Sequence, residues 1–72
     1  MKRGVYEKLM ADIEYARRNF NMDLLHEAYG AVKMAYQLGA VTKDEYLALS
    51  HEAIYNGINN PEIIREVNKT CV

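Results

Sequence analysis

The sequence predicts a small all-α bundle. Three observations carry this: apolar residues recur at three- and four-residue steps through most of the chain, the stretches so marked are separated by short turns with capping residues, and 50% of the residues are hydrophobic against 26% charged, a globular balance. Seventy-two residues make one domain, 1–72, with a modest core. The spacing predicts three main helices over about 3–19, 22–38 and 43–56 and a short C-terminal helix over about 61–69.

In the first helix Tyr6, Leu9, Met10, Ile13, Ala16 and Phe20 form one apolar face, and Glu14 and Arg18 stand at i, i+4 in the favourable order. The second helix begins after Asn21, a good N-cap, with Phe20 and Leu25 at the positions of a hydrophobic staple. Its apolar set is broad (Leu24, Leu25, Ala28, Tyr29, Val32, Ala35, Tyr36), as suits the central helix of a bundle, and the small Gly30 and Ala31 offer room for a neighbouring backbone. Gly39 supplies a left-handed residue just past its end.

The third helix has the clearest start. "VTKDEY" places Thr42 at the N-cap and Glu45 at N3, a capping box, with Val41 and Tyr46 at the staple positions. Tyr46, Leu49, Ala53 and Ile54 make its apolar face, and Gly57 with Ile58 is expected to end it in a Schellman turn folded back on Ala53. In the fourth, Asn60 caps, Pro61 takes N1, and Ile63, Ile64 and Val67 face inward. The expected core is Leu9, Ile13, Leu25, Ala28, Val32, Ala35, Leu49, Ala53, Ile63 and Ile64.

Function is less legible. A net charge of -1 gives no field to gather nucleic acid or an anionic membrane. One cysteine, Cys71, makes no internal disulfide, and the charged, amphipathic N-terminal stretch reads as neither signal peptide nor span, so a cytoplasmic location is expected. The letters HEA occur twice, at His26 and His51. Adjacent helical residues diverge by about 100°, so neither His–Glu pair converges on one metal, and the second histidine of a zinc-protease motif is missing both times. An antiparallel hairpin brings His26 and His51 within about a helical turn of each other, but no third ligand is evident. Ser50 beside His51 lacks a nucleophile elbow, and the four glycines build no phosphate cradle. The expectation is a non-enzyme with no catalytic, metal or cofactor-binding residues.

Two readings remain. The six tyrosines and four methionines either plug a small core with their polar tips in water or supply an interaction surface, for which Tyr15, Met34 and Tyr55 are the candidate residues. The alternative is a small DNA-binding regulator. Ala53, Gly57, Ile58 and Ile63 follow the spacing of a degenerate helix-turn-helix over Ala53–Val67, with Asn60, Arg65 and Lys69 as candidate DNA contacts. Asn56 departs from that pattern, and Glu62 and Glu66 offset Arg65 and Lys69.

Two resemblances bear on this choice. "LGAVTKDEYLAL", Leu38 to Leu49, resembles the helical hairpin of the small oligomerisation modules called SHOCT, whose turn reads G-x-[IV]-T-x-[DE]-E-[FY]; the resemblance implies an interaction module. "VKMAYQLGAVTKDEYLALSHEAIYNGINNP" resembles small uncharacterised proteins of conjugative transposons and phages of gut Firmicutes, which implies a bacterial accessory role and transfers no site residue. The sequence therefore points to a non-catalytic interaction or accessory module of a mobile genetic element, with an unknown protein or a second copy of itself as partner.

Overall fold

A computed structural model describes residues 2–70, with side chains over residues 4–68. It contains α1 (Lys2–Arg18), α2 (Met22–Gln37), α3 (Lys43–Ala53), a π-helical turn (Ile54–Ile58) and α4 (Pro61–Thr70), and no strand among the described residues. α1, α2 and α3 pack on one another in all three pairings, while α4 packs chiefly on the π-helical turn. The result is an elongated body of 41 × 16 × 15 Å. A 17-residue helix accounts for about 25 Å of that length.

The core is a single cluster of Leu9, Ile13, Ala16, Leu25, Ala28, Val32, Ala35, Val41, Leu49, Ala53 and Ile63. Nine of the ten expected core residues are in it. The tenth, Ile64, is 39% exposed. Consecutive helical residues diverge by about 100°, and α4 meets the body along the line of Ile63, so Ile64 turns to solvent. Ala16 and Val41 complete the core from α1 and from the turn before α3.

Local chemistry explains most boundaries. Asn21 Oδ1 accepts from the Leu24 N–H at 3.0 Å and opens α2. The capping box of α3 is complete: Thr42 Oγ1 accepts from Glu45 N–H at 3.1 Å and Glu45 Oε1 from Thr42 N–H at 2.9 Å. Glu14 and Arg18 approach to 3.9 Å on α1. α2 closes as expected, with Gly39 at φ 75° and the Ala40 N–H donating to the Ala35 carbonyl at 2.8 Å.

Three expectations are corrected. Phe20 does not continue the face of α1. It lies past the helix end at φ 50°, with its N–H on the Arg17 carbonyl and the Asn21 N–H on the Ala16 carbonyl. This is the Schellman geometry that glycine usually serves. Gly57 makes no such turn, since among the described glycines only Gly39 has positive φ. Instead α3 runs on past 56 as a π-helix to Ile58, where the Asn59 N–H reaches the Ile54 carbonyl at 2.7 Å. Gly30 and Ala31 admit no neighbouring backbone within the chain, for both are exposed.

Gly57 is needed for closeness rather than for backbone freedom. A Cβ there would stand 2.9 Å from Leu25 Cδ2 and 3.3 Å from the Glu52 carbonyl oxygen. A Cβ at Gly30 would meet nothing within 4 Å. The same substitution therefore has opposite effects at the two sites. In denaturant titrations Gly57→Ala should destabilise by about 1–3 kcal/mol through overpacking, whereas Gly30→Ala should stabilise by about 0.5–1 kcal/mol by favouring helix.

Candidate interaction surface

The tight reversal at Asn19–Asn21 lays α1 and α2 side by side, and this sets which of their side chains meet. Asp12 and Tyr15 of α1 come together with Leu24, Glu27, Ala28 and Ala31 of α2 around a shallow cleft of ≈ 320 Å³. Small residues on α2 leave its floor low, Tyr15 forms a rim with its ring 61% exposed, and two carboxylates edge it. Asp12 is held by Lys8 at 3.2 Å. Along α2 the apolar surface continues through Met34 (55% exposed) to Leu38 (76% exposed).

Of the three surface residues expected, the cleft takes Tyr15, and Met34 stands one turn beyond Ala31 on the same helix. Tyr55 is elsewhere: its ring lies 5.1 Å from that of His51, tilted by 35°, and it lines no part of the cleft. Ala31 and Leu38, both exposed, were not anticipated as surface residues. Their exact seven-residue spacing was the signal, overshadowed by the stronger core stripe of the same helix.

Tyr29, Tyr36 and Tyr46 lie where α2 meets α3. Tyr36 and Tyr46 stack with centroids 4.4 Å apart and planes 15° from parallel, and Lys33 Nζ sits 5.0 Å from the centre of the Tyr29 ring. Burial raises the Tyr29 phenol above the ordinary tyrosine value, with the charge and hydrogen bond of Tyr46 adding to it.

A polar chain links α1, α3 and α4. Arg17 Nη1 lies 3.3 Å from Glu52 Oε2, and Asn56 Nδ2 donates to Glu52 Oε1 at 2.9 Å. Asn60 Nδ2 donates to the Asn56 carbonyl at 3.3 Å, while Asn60 Oδ1 accepts from the Glu62 N–H at 2.9 Å. Asn56, the departure from the helix-turn-helix pattern, thus has a structural task within the π-helical turn. Asn60, a candidate DNA contact, has both side-chain functions engaged in joining and capping. Arg65 is exposed on α4; the side chain of Lys69, and Cys71 altogether, lie outside the described residues.

The HEA echo separates into unlike parts. His26, Glu27 and His51 are exposed, whereas Glu52 is half-buried in the polar chain. Among the described residues no three His, Cys, Asp or Glu side chains are placed to hold a metal ion. Among the described residues Ser50 Oγ is buried and has no hydrogen-bond partner, His51 included.

No family model matches the chain, and neither a curated protein nor a solved structure was found to match it.

Because Tyr29 keeps its proton longer in the folded chain than in the unfolded one, its contribution to stability is present below about pH 10 and declines as pH rises from there through the raised folded value. A spectrophotometric titration should show a phenol that ionises above the ordinary tyrosine value. Tyr29→Phe should remove that late step and flatten the alkaline loss of stability.

Proposed function

We propose that this chain is a non-catalytic protein-interaction module, with self-association within its scope, serving as an accessory component of a mobile genetic element. The observation that carries the interaction reading is the exposed Tyr15 at the rim of a shallow cleft between α1 and α2, with Met34 and Leu38, also more than half exposed, farther along α2. Isolated apolar residues on a surface are ordinary, but large ones aligned with a concave floor are what partners cover. The mobile-element setting draws on the sequence resemblance alone.

Other features agree. The cleft is open, and its two carboxylates face water with Asp12 committed to Lys8, a poor enclosure for a reacting substrate. No described helix is long and apolar enough to cross a membrane, and a cytoplasmic site of action is part of the proposal. DNA binding through Asn60, Arg65 and Lys69 has no comparable observation in its favour, since Asn60 is already occupied and acidic residues alternate with basic ones along α4.

Site-specific photo-crosslinking in the cell that makes the protein tests the reading. A photoreactive residue replacing Met34 should give discrete protein adducts, several-fold more than the same group replacing Leu47, an exposed apolar residue on α3. Equal yields from both positions, or none from either, would count against an interaction surface on α1 and α2.

A further inference from the structure

α2 carries a second apolar stripe beside the one it buries. Leu24, Ala31 and Leu38 stand seven residues apart, with Glu27 and Met34 at the intervening three-residue step. That is heptad spacing, the pattern of helices that pair along their length. α1 and α3 leave most of it uncovered: Ala31, Met34 and Leu38 are exposed, and Leu24, packed partly against the core, is half-buried. Its two leucines stand symmetrically about Ala31, one seven residues before it and one seven after, whereas Glu27 and Met34 lie four before and three after.

This symmetry identifies what fits. We infer that a second copy of this chain covers the face, the two α1–α2 hairpins packing antiparallel about a two-fold axis at Ala31. The inference rests on the interaction-module reading and names the partner. With residue 31 against residue 31, Leu24 of each copy lies opposite Leu38 of the other. The small Ala31 at the centre lets the two helices approach closely. A two-fold interface of this kind is self-complementary and closes at two copies.

Charge and area agree with the arrangement. Glu27 lies within the stripe, and covering a carboxylate requires a cation. The cleft fixes the register of α1 on α2 by bringing Asp12 beside Glu27, Ala28 and Ala31, so Lys8, one turn earlier on α1, stands near the level of Val32. The two-fold carries the second copy's Glu27 to the level of Ala35, about one helical turn from Lys8 along the axis. The Lys8 side chain is 75% exposed, and its ammonium, already 3.2 Å from its own Asp12, can bridge the two carboxylates. As for area, a 16-residue helix beside a second one presents a face of about 24 by 20 Å, roughly 1,000 Å² for the two copies together, the size of a weak, reversible interface.

The test is sedimentation of the full chain over micromolar to millimolar concentrations, paired with cysteine crosslinking. The native chain should pass from monomer to dimer and no further, and Met34→Glu should raise the dissociation constant about tenfold or more. In a Cys71→Ser background, Ala31→Cys should form a disulfide-linked dimer in a glutathione redox buffer about tenfold faster than Leu47→Cys, because the axis brings the two Cβ atoms near the roughly 4 Å a disulfide needs. A native chain that stays monomeric throughout, or equal crosslinking from both cysteines, overturns the dimer. If foreign adducts still form at Met34 under those conditions, the interaction reading stands and only the choice of partner has failed.

Discussion

Enclosure of Leu25 depends on a backbone with no side chain. Leu25 is one of four large side chains fully removed from water, with Ile13, Val32 and Leu49. Each such burial is worth about 1.5–3 kcal/mol, a large share of the few kcal/mol by which so short a chain holds together. The wall over Leu25 is Gly57, close enough that even a methyl group would intrude. Gly57 arrives there because the chain leaves α3 through a π-helical turn. The wider turn carries it onto α2 and fixes where α4 starts. The polar chain from Arg17 through Glu52 and Asn56 to Asn60 holds the same corner from outside, so apolar contact and hydrogen bonds fix one junction from two sides.

The two reversals flanking α2 reach one geometry with different residues. Gly39 takes the left-handed conformation without steric penalty. Phe20 takes it at a cost of about 1–2 kcal/mol, because its Cβ crowds the following carbonyl. The surroundings hold it there. The Asn19 side chain donates to the Tyr15 carbonyl at 2.8 Å, the Asn21 backbone closes on Ala16, and the Asn21 side chain caps α2. A reversal fixed by so many bonds sets Tyr15 beside Leu24, and so the cleft is a consequence of the turn.

What the sequence made legible follows from the range of the forces involved. Asn21, Thr42 with Glu45, Gly39, and Asn60 with Pro61 act within four residues of themselves, and their roles are written in local order. The π-helical turn is not local in that sense. The letters "NGINNP" suit a glycine-stopped helix as well, and the contact that Gly57 makes in the π-helical turn is with Leu25, some thirty residues away. Phe20 has the same character, since a phenylalanine gives no sign that it will occupy a glycine conformation. On the surface, Tyr15 and Met34 could be named from residue type, but the cleft between them required the register of α1 on α2. Tyr55 has the same composition-level signal and lies apart from it. Asn60 reads equally well as a cap or as a DNA contact until the two hydrogen bonds of its side chain are seen.

The breadth of the apolar set on α2 has a geometric consequence. Leu24 and Leu25 are neighbours, so their side chains leave the helix about 100° apart. The stripe begun by Leu25 continues through Ala28, Val32 and Ala35 into the core; the one begun by Leu24 runs through Ala31 to Leu38 along the outer edge. Two flanking helices can cover an arc only so wide, and among the described helices α4 packs chiefly on the π-helical turn instead. Surface grows relative to volume as a domain shrinks, which leaves small folds with apolar area that a larger one would enclose. Here that area is ordered at seven-residue intervals, and a net charge of -1 provides almost no repulsion between copies. In the proposed dimer the hydrophobic gain on covering Met34 and Leu38 is opposed by the entropy of association and by the desolvation of Glu27, and a two-fold arrangement is one in which both copies gain from the same contact.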